Sequence, residues 1–121
     1  MAKKYECKRT PEGVVCFVAL TGRGGYFLKN VGYHSPDGFE MGYAGSGPAD
    51  LALTILCDHL GVKDASRKTY LGKGHESKES GKAWLYHQDF KFEFITPHHA
   101  STTISTEQIQ AWIEKEYRCR V

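Results

Sequence analysis

The sequence predicts an α+β domain: an antiparallel sheet of about five strands, opening with an N-terminal meander, with two helices packed on one face. Three observations carry this expectation. Apolar and β-branched segments separated by turn residues fill the first forty positions. A leucine-rich helical pattern follows a glycine turn. A capping box opens a second, amphipathic helix near the end.

Taken in order, "KYECKR" and "VVCFVAL" flank "TPEG" (Thr10 to Gly13), which reads as a hairpin tip with Pro11 and Glu12 central. That register sets Cys7 directly opposite Cys16. A cross-strand disulfide is then conceivable, but reduced thiols are the expectation for a cytoplasmic protein. "TGRGG" (Thr21 to Gly25) breaks the second strand. "YFLKNVGYHS" and "FEMGYAG" then read as two more strands joined by "SPDG" (Ser35 to Gly38).

The first helix is expected from about Pro48 to Leu60, with Gly61 as its left-handed stop. Asp50, Thr54 and Asp58 form a narrow polar stripe on an otherwise apolar helix, so most of its circumference must be covered. Either the second helix and the basic loop pack over it, the preferred option, or a second subunit does, leaving a homodimer through this helix open. Farther on, "KAWLYHQD" is ambiguous between helix and strand, and "FKFEFIT" alternates Phe90, Phe92 and Phe94 like a half-buried strand. Ser105 and Gln108 make a capping box, Ile104 and Ile109 its hydrophobic staple, and Ile109, Trp112 and Ile113 the apolar stripe of the second helix.

No linker or repeat divides residues 1–121, which are expected to form one domain. Sixteen basic side chains face fourteen acidic ones, too even a balance to point to nucleic acid. The basic stretch Ser66 to Lys82 is interrupted by glutamates and reads as a solvated loop. With no apolar run long enough for a bilayer and no apolar core behind "MAKKYECKRT", no membrane association is expected and the expected location is the cytoplasm. The four cysteines lack paired zinc or redox spacing, and adjacent His98 and His99 point apart in an extended chain. No metal or cofactor is expected.

The turn "GYAGSGPAD" (Gly42 to Asp50) is the candidate site. A phosphate could rest on the amides of a helix N-terminus. The phosphate-loop pattern fails at Pro48, the dinucleotide pattern fits Gly45 and Gly47 but fails at Asp50, and Ala44 and Pro48 exclude a nucleophile elbow around Ser46. Capping accounts for the same residues, with Ser46 or Gly47 as cap, Pro48 in the first turn and Asp50 returning a carboxylate to the amides. Arg23, flanked by glycines, could present its guanidinium to an anion, and Tyr26, Phe27, Tyr33, Phe39 and Tyr43 could stack a base or fill a core.

"GFEMGYAGSGPADLALTIL" resembles the signature GY-x-GSGPADLA-x-x-IL of a family of small uncharacterised proteins from bacteria, archaea and their phages. "YHQDFKFEFIT" and "ISTEQIQAWIEK" resemble the later blocks of that family, so the resemblance runs from Gly38 to Lys115. Met41 stands where the family has a tryptophan. The resemblance implies a small accessory protein, one that counters host defence in the phage-encoded case, and carries over no catalytic residue. The expected function is a non-enzymatic binding protein with a protein partner. The alternatives are sequestration of a small anionic or nucleotide ligand near Arg23, Gly45, Ser46, Gly47 and Asp50, and a nucleotide-processing enzyme. A protein partner would require an exposed patch on the open face of the sheet or the long loop.

Overall fold

The computed structural model describes residues 2–29, 38–62 and 79–120. The expected "SPDG" turn and most of the basic loop lie outside the described residues, as do Tyr33, His34 and His75. The fold is α+β, with a four-stranded antiparallel sheet and three helices among the described residues.

Strands β1 (Lys3–Thr10) and β2 (Gly13–Leu20) form the hairpin read from the sequence, with Pro11 and Glu12 at its tip and Cys7 paired with Cys16. The Thr10 hydroxyl closes the turn, donating to the Gly13 carbonyl at 2.7 Å. Strand β3 (Arg23–Phe27) pairs with β2 after a tight turn in which Gly22 takes a φ of 75°. At Gly25 a Cβ would overlap the Val18 carbonyl oxygen, so only glycine lets β3 lie against β2 there.

Among the described residues the meander has three strands. "FEMGYAG" forms no strand: Phe39 and Met41 instead drop into the core as anchors of an irregular segment. The fourth strand is β4 (Ser101–Ser105), which the sequence did not announce. It pairs with β1 and gives the order β3-β2-β1-β4. Its residues are mostly polar, and it forms because the outer edge of β1 offers backbone groups that need partners.

Helix α1 (Ser46–Leu60) is buried over eleven consecutive residues, Gly47 to Cys57. One flank belongs to the same core as the sheet residues Tyr5, Cys7, Cys16 and Val18; another packs against helix α2 (Glu79–Phe90). The chain itself therefore covers α1, chiefly through α2 rather than through the C-terminal helix expected to do so. Gly61 ends the helix at φ 73°, with Val62 N–H donating to the Cys57 carbonyl at 2.8 Å and Gly61 N–H to that of Asp58.

The "FKFEFIT" segment is not a strand. Helix α2 runs on into a π-helical turn, Lys91–Ile95. In a strand Phe90, Phe92 and Phe94 would share a face. Here Phe90 and Phe94 stack at 4.6 Å and both meet Trp112, while Phe92 points outward and is 54 % exposed. Burying two rings against Trp112 outweighs the local alternation. Helix α3 (Thr106–Arg120) starts with the predicted capping box. Ser105 N–H donates to Gln108 Oε1 at 2.8 Å and Gln108 N–H to Ser105 Oγ at 3.1 Å, above a buried Ile104 and Ile109.

Candidate functional site

The glycine turn is built for packing. Gly45, extended at φ −160°, is the N-cap of α1, and no side chain caps the helix; the expected cap at Ser46 or Gly47 shifts by a residue. A Cβ at Gly45 would lie 2.5 Å from the Tyr43 ring, and one at Gly47 would lie 2.7 Å from Cβ of Glu40. Gly42, at φ 88°, leaves room for the His99 backbone. Its N–H donates to the Ile95 carbonyl at 3.2 Å, and Arg9 clamps the same region by donating to the carbonyls of Met41 and His99 and pairing with Glu40 at 3.1 Å. Ser46 is exposed, whereas Asp50 is entirely buried.

The structure does not bring Arg23 to this turn. Arg23 opens the edge strand β3, three residues before Tyr26, whose hydroxyl reaches Asp58 at the far end of α1. Ser46 and Asp58 are twelve residues apart on that helix, about 18 Å. Gly45, Ser46 and Gly47 lie together; Arg23 stands apart from them. Of the aromatics proposed to stack a base, Phe39 is core, while Tyr26, Phe27 and Tyr43 are exposed.

At the C-terminal end of α1 the fold assembles a clasp that sequence reasoning missed. Asp58 Oδ1 accepts the Tyr5 hydroxyl at 2.6 Å and Lys3 Nζ at 3.0 Å; its Oδ2 accepts the Tyr26 hydroxyl at 2.5 Å. Burial first, and the Asp58 carboxylate second, push the Tyr5 phenol well above its ordinary range; Tyr26 is raised for the same two reasons. Burial by itself would lower Lys3, but its bonds to Tyr26 and Asp58 outweigh that and raise it. The only sequence signal was the polar stripe ending at Asp58. A cleft of about 390 Å³ opens beside the clasp, between the end of α1 and Thr106 of α3. A larger groove of about 730 Å³ lies between α2 and α3, along Tyr86, Ile113 and Tyr117.

The clasp positions the opposite side of the sheet. Because Tyr26 is held on the core face, the next residue, Phe27, must face outward. Phe27 pairs with Phe17 of β2, and their rings meet edge to face at 5.1 Å. Phe27 is 63 % exposed and its neighbour on the same face, Val15, 37 %. Residues Lys4, Glu6 and Lys8 of β1 and Ser101, Thr103 and Ser105 of β4 continue this face as a polar half. Helices cover the other face, whereas among the described residues Lys4, Glu6, Lys8, Val15, Phe27 and Thr103 leave this one exposed. Among the described residues no three His, Cys, Asp or Glu side chains gather where they could hold a metal ion, and no helix is long and apolar enough to cross a membrane.

The arrangement defines a small α+β protein that presents Phe27 and Val15 on one face of its sheet. Residues 5–72, more than half the chain, match the model of a family of unknown function, DUF6166, and the protein belongs to that family. The matched stretch takes in the β1–β3 meander, the glycine turn and α1, so it begins earlier than the resemblance at Gly38 suggested and ends before α2. No curated protein and no solved structure matches the chain.

Proposed function

We propose that the protein is a small non-enzymatic binding protein that engages a protein partner through the open face of its sheet. The observation that carries this reading is the exposed Phe27, packed edge to face on the half-buried Phe17, with Val15 beside them and a polar half-face of Lys4, Lys8 and Thr103 adjoining. An aromatic and aliphatic patch rimmed by polar side chains has the composition of a protein contact surface. Glu6, which pairs with Phe17 in the middle of this face, counts against an anionic polymer as the ligand. The resemblance to phage proteins supports a host-defence component as the partner, met in the host cytoplasm.

The test is capture from host lysate with the wild-type chain and with Phe27→Asp, alongside Tyr117→Ser on α3 as a control. A specific partner should be lost at least about tenfold with Phe27→Asp and retained with Tyr117→Ser, both variants keeping their thermal transition. Equal capture by Phe27→Asp would sink the assignment of this face.

A further inference from the structure

The thiols of Cys7 and Cys16 lie 3.5 Å apart, both buried on the core side of the β1–β2 hairpin. Their pairing type follows from the surrounding hydrogen bonds. The Cys16 carbonyl accepts Leu28 N–H at 2.9 Å, so it points away from β1. Arg9 N–H donates to the Ala100 carbonyl at 2.9 Å, so it points away from β2, and Cys7, two residues earlier, shares that orientation. Cys7 and Cys16 are therefore a non-hydrogen-bonded pair, the antiparallel position where opposing Cα atoms come within about 4.5 Å. That separation falls inside the span a disulfide tolerates, about 4.4–6.8 Å. Closing the bond requires side-chain rotation and no change of register.

We propose that Cys7 and Cys16 are a reversible dithiol–disulfide pair, closed by hydrogen peroxide, that staples the first hairpin under oxidising conditions. One thiol reduces the peroxide, becoming a sulfenic acid and releasing water. The second sulfur then attacks that sulfenic sulfur, its proton leaving with the hydroxide as a second water. The pair loses two electrons and two hydrogens, and the peroxide is reduced to two waters. A dithiol reductant reverses the step by exchange. The Cys16 thiol is pushed upward by its hydrogen bond with Cys7 and by burial, so the reaction waits on brief openings of the hairpin and is slow in the folded protein. This inference is independent of the sheet-face reading, although the stapled strand carries Val15 and Phe17.

The experiment exposes folded protein to a small excess of hydrogen peroxide and maps the unreduced digest by mass spectrometry. The expected result is a peptide linking Cys7 to Cys16, with an intact mass lower by two hydrogens and reversal by dithiothreitol. Closing a ten-residue loop should also raise Tm by about 10 °C. A Cys57→Ala variant should keep the link. Oxygen adducts without a link, a link through Cys57 or between chains, or a link that forms only in urea would each overturn the proposal.

Discussion

Replacing Asp58 with alanine tests whether the clasp holds the edge of the sheet to α1. The variant strips the Tyr5 hydroxyl of the acceptor it reaches at 2.6 Å, on a side chain with no exposed surface. A buried donor left without a partner costs about 1–3 kcal/mol, and its bond was to a charged group. Tyr26 loses its acceptor too, but at 38 % exposure it regains water and adds less. The Lys3 pair is partly exposed and is worth under about 1 kcal/mol. Against these, removing an acid from the last turn of α1 relieves about 0.5 kcal/mol of unfavourable dipole interaction. The net expectation is a loss of about 3 kcal/mol, or roughly 12 °C in Tm for a chain of this length. Asp58→Asn, which keeps one acceptor oxygen, should lose about half as much. Urea denaturation followed by circular dichroism measures both. An Asp58→Ala variant within about 0.5 kcal/mol of wild type would refute the reasoning.

The clasp also predicts how stability responds to alkali. Tyr5, Tyr26 and Lys3 all hold their protons more tightly folded than unfolded, so their contribution is complete below their ordinary values near pH 10 and declines above. Urea midpoints should fall as pH rises past about 10, and less steeply in Tyr5→Phe. Phe90→Ala should cost about 3–5 kcal/mol and Phe92→Ala under about 1, since only Phe90 is buried; similar costs would mean that the segment is an alternating strand. Gly25→Ala should lower stability by at least about 2 kcal/mol because its Cβ meets the Val18 carbonyl, whereas Gly24→Ala, with open space around it, should stay within about 0.5 kcal/mol. Thermal melts of the two variants side by side check the contrast.

Much of the local structure was legible. The Thr10–Gly13 turn, the left-handed stop at Gly61 and the Ser105–Gln108 box are each decided within a few residues, and all three stand in the structure as read. The candidate site was legible only in part. The Gly45–Gly47 turn was singled out, but its glycines answer to Tyr43 and Glu40, contacts that no motif encodes. Composition left Tyr26 and Phe27 open to a stacking or a core role, and their alternation on an edge strand leaves both exposed. A strand pattern alone does not reveal which of its faces the helices will cover.

By itself, then, the sequence determined the α+β class, the register that sets Cys7 against Cys16 and the ends of its most clearly signalled helices. These follow from steric limits at glycine and proline and from hydrogen bonds spanning a few residues. Tertiary structure decided that Lys91–Ile95 continues a helix, because Phe90 and Phe94 find Trp112 eighteen or more positions away. It also decided that polar Ser101–Ser105 becomes a strand, and that Lys3, Tyr5 and Tyr26 meet Asp58. Each of these outcomes balances a local preference against burial or hydrogen bonding with a distant segment, and that second term exists only once the chain has closed on itself.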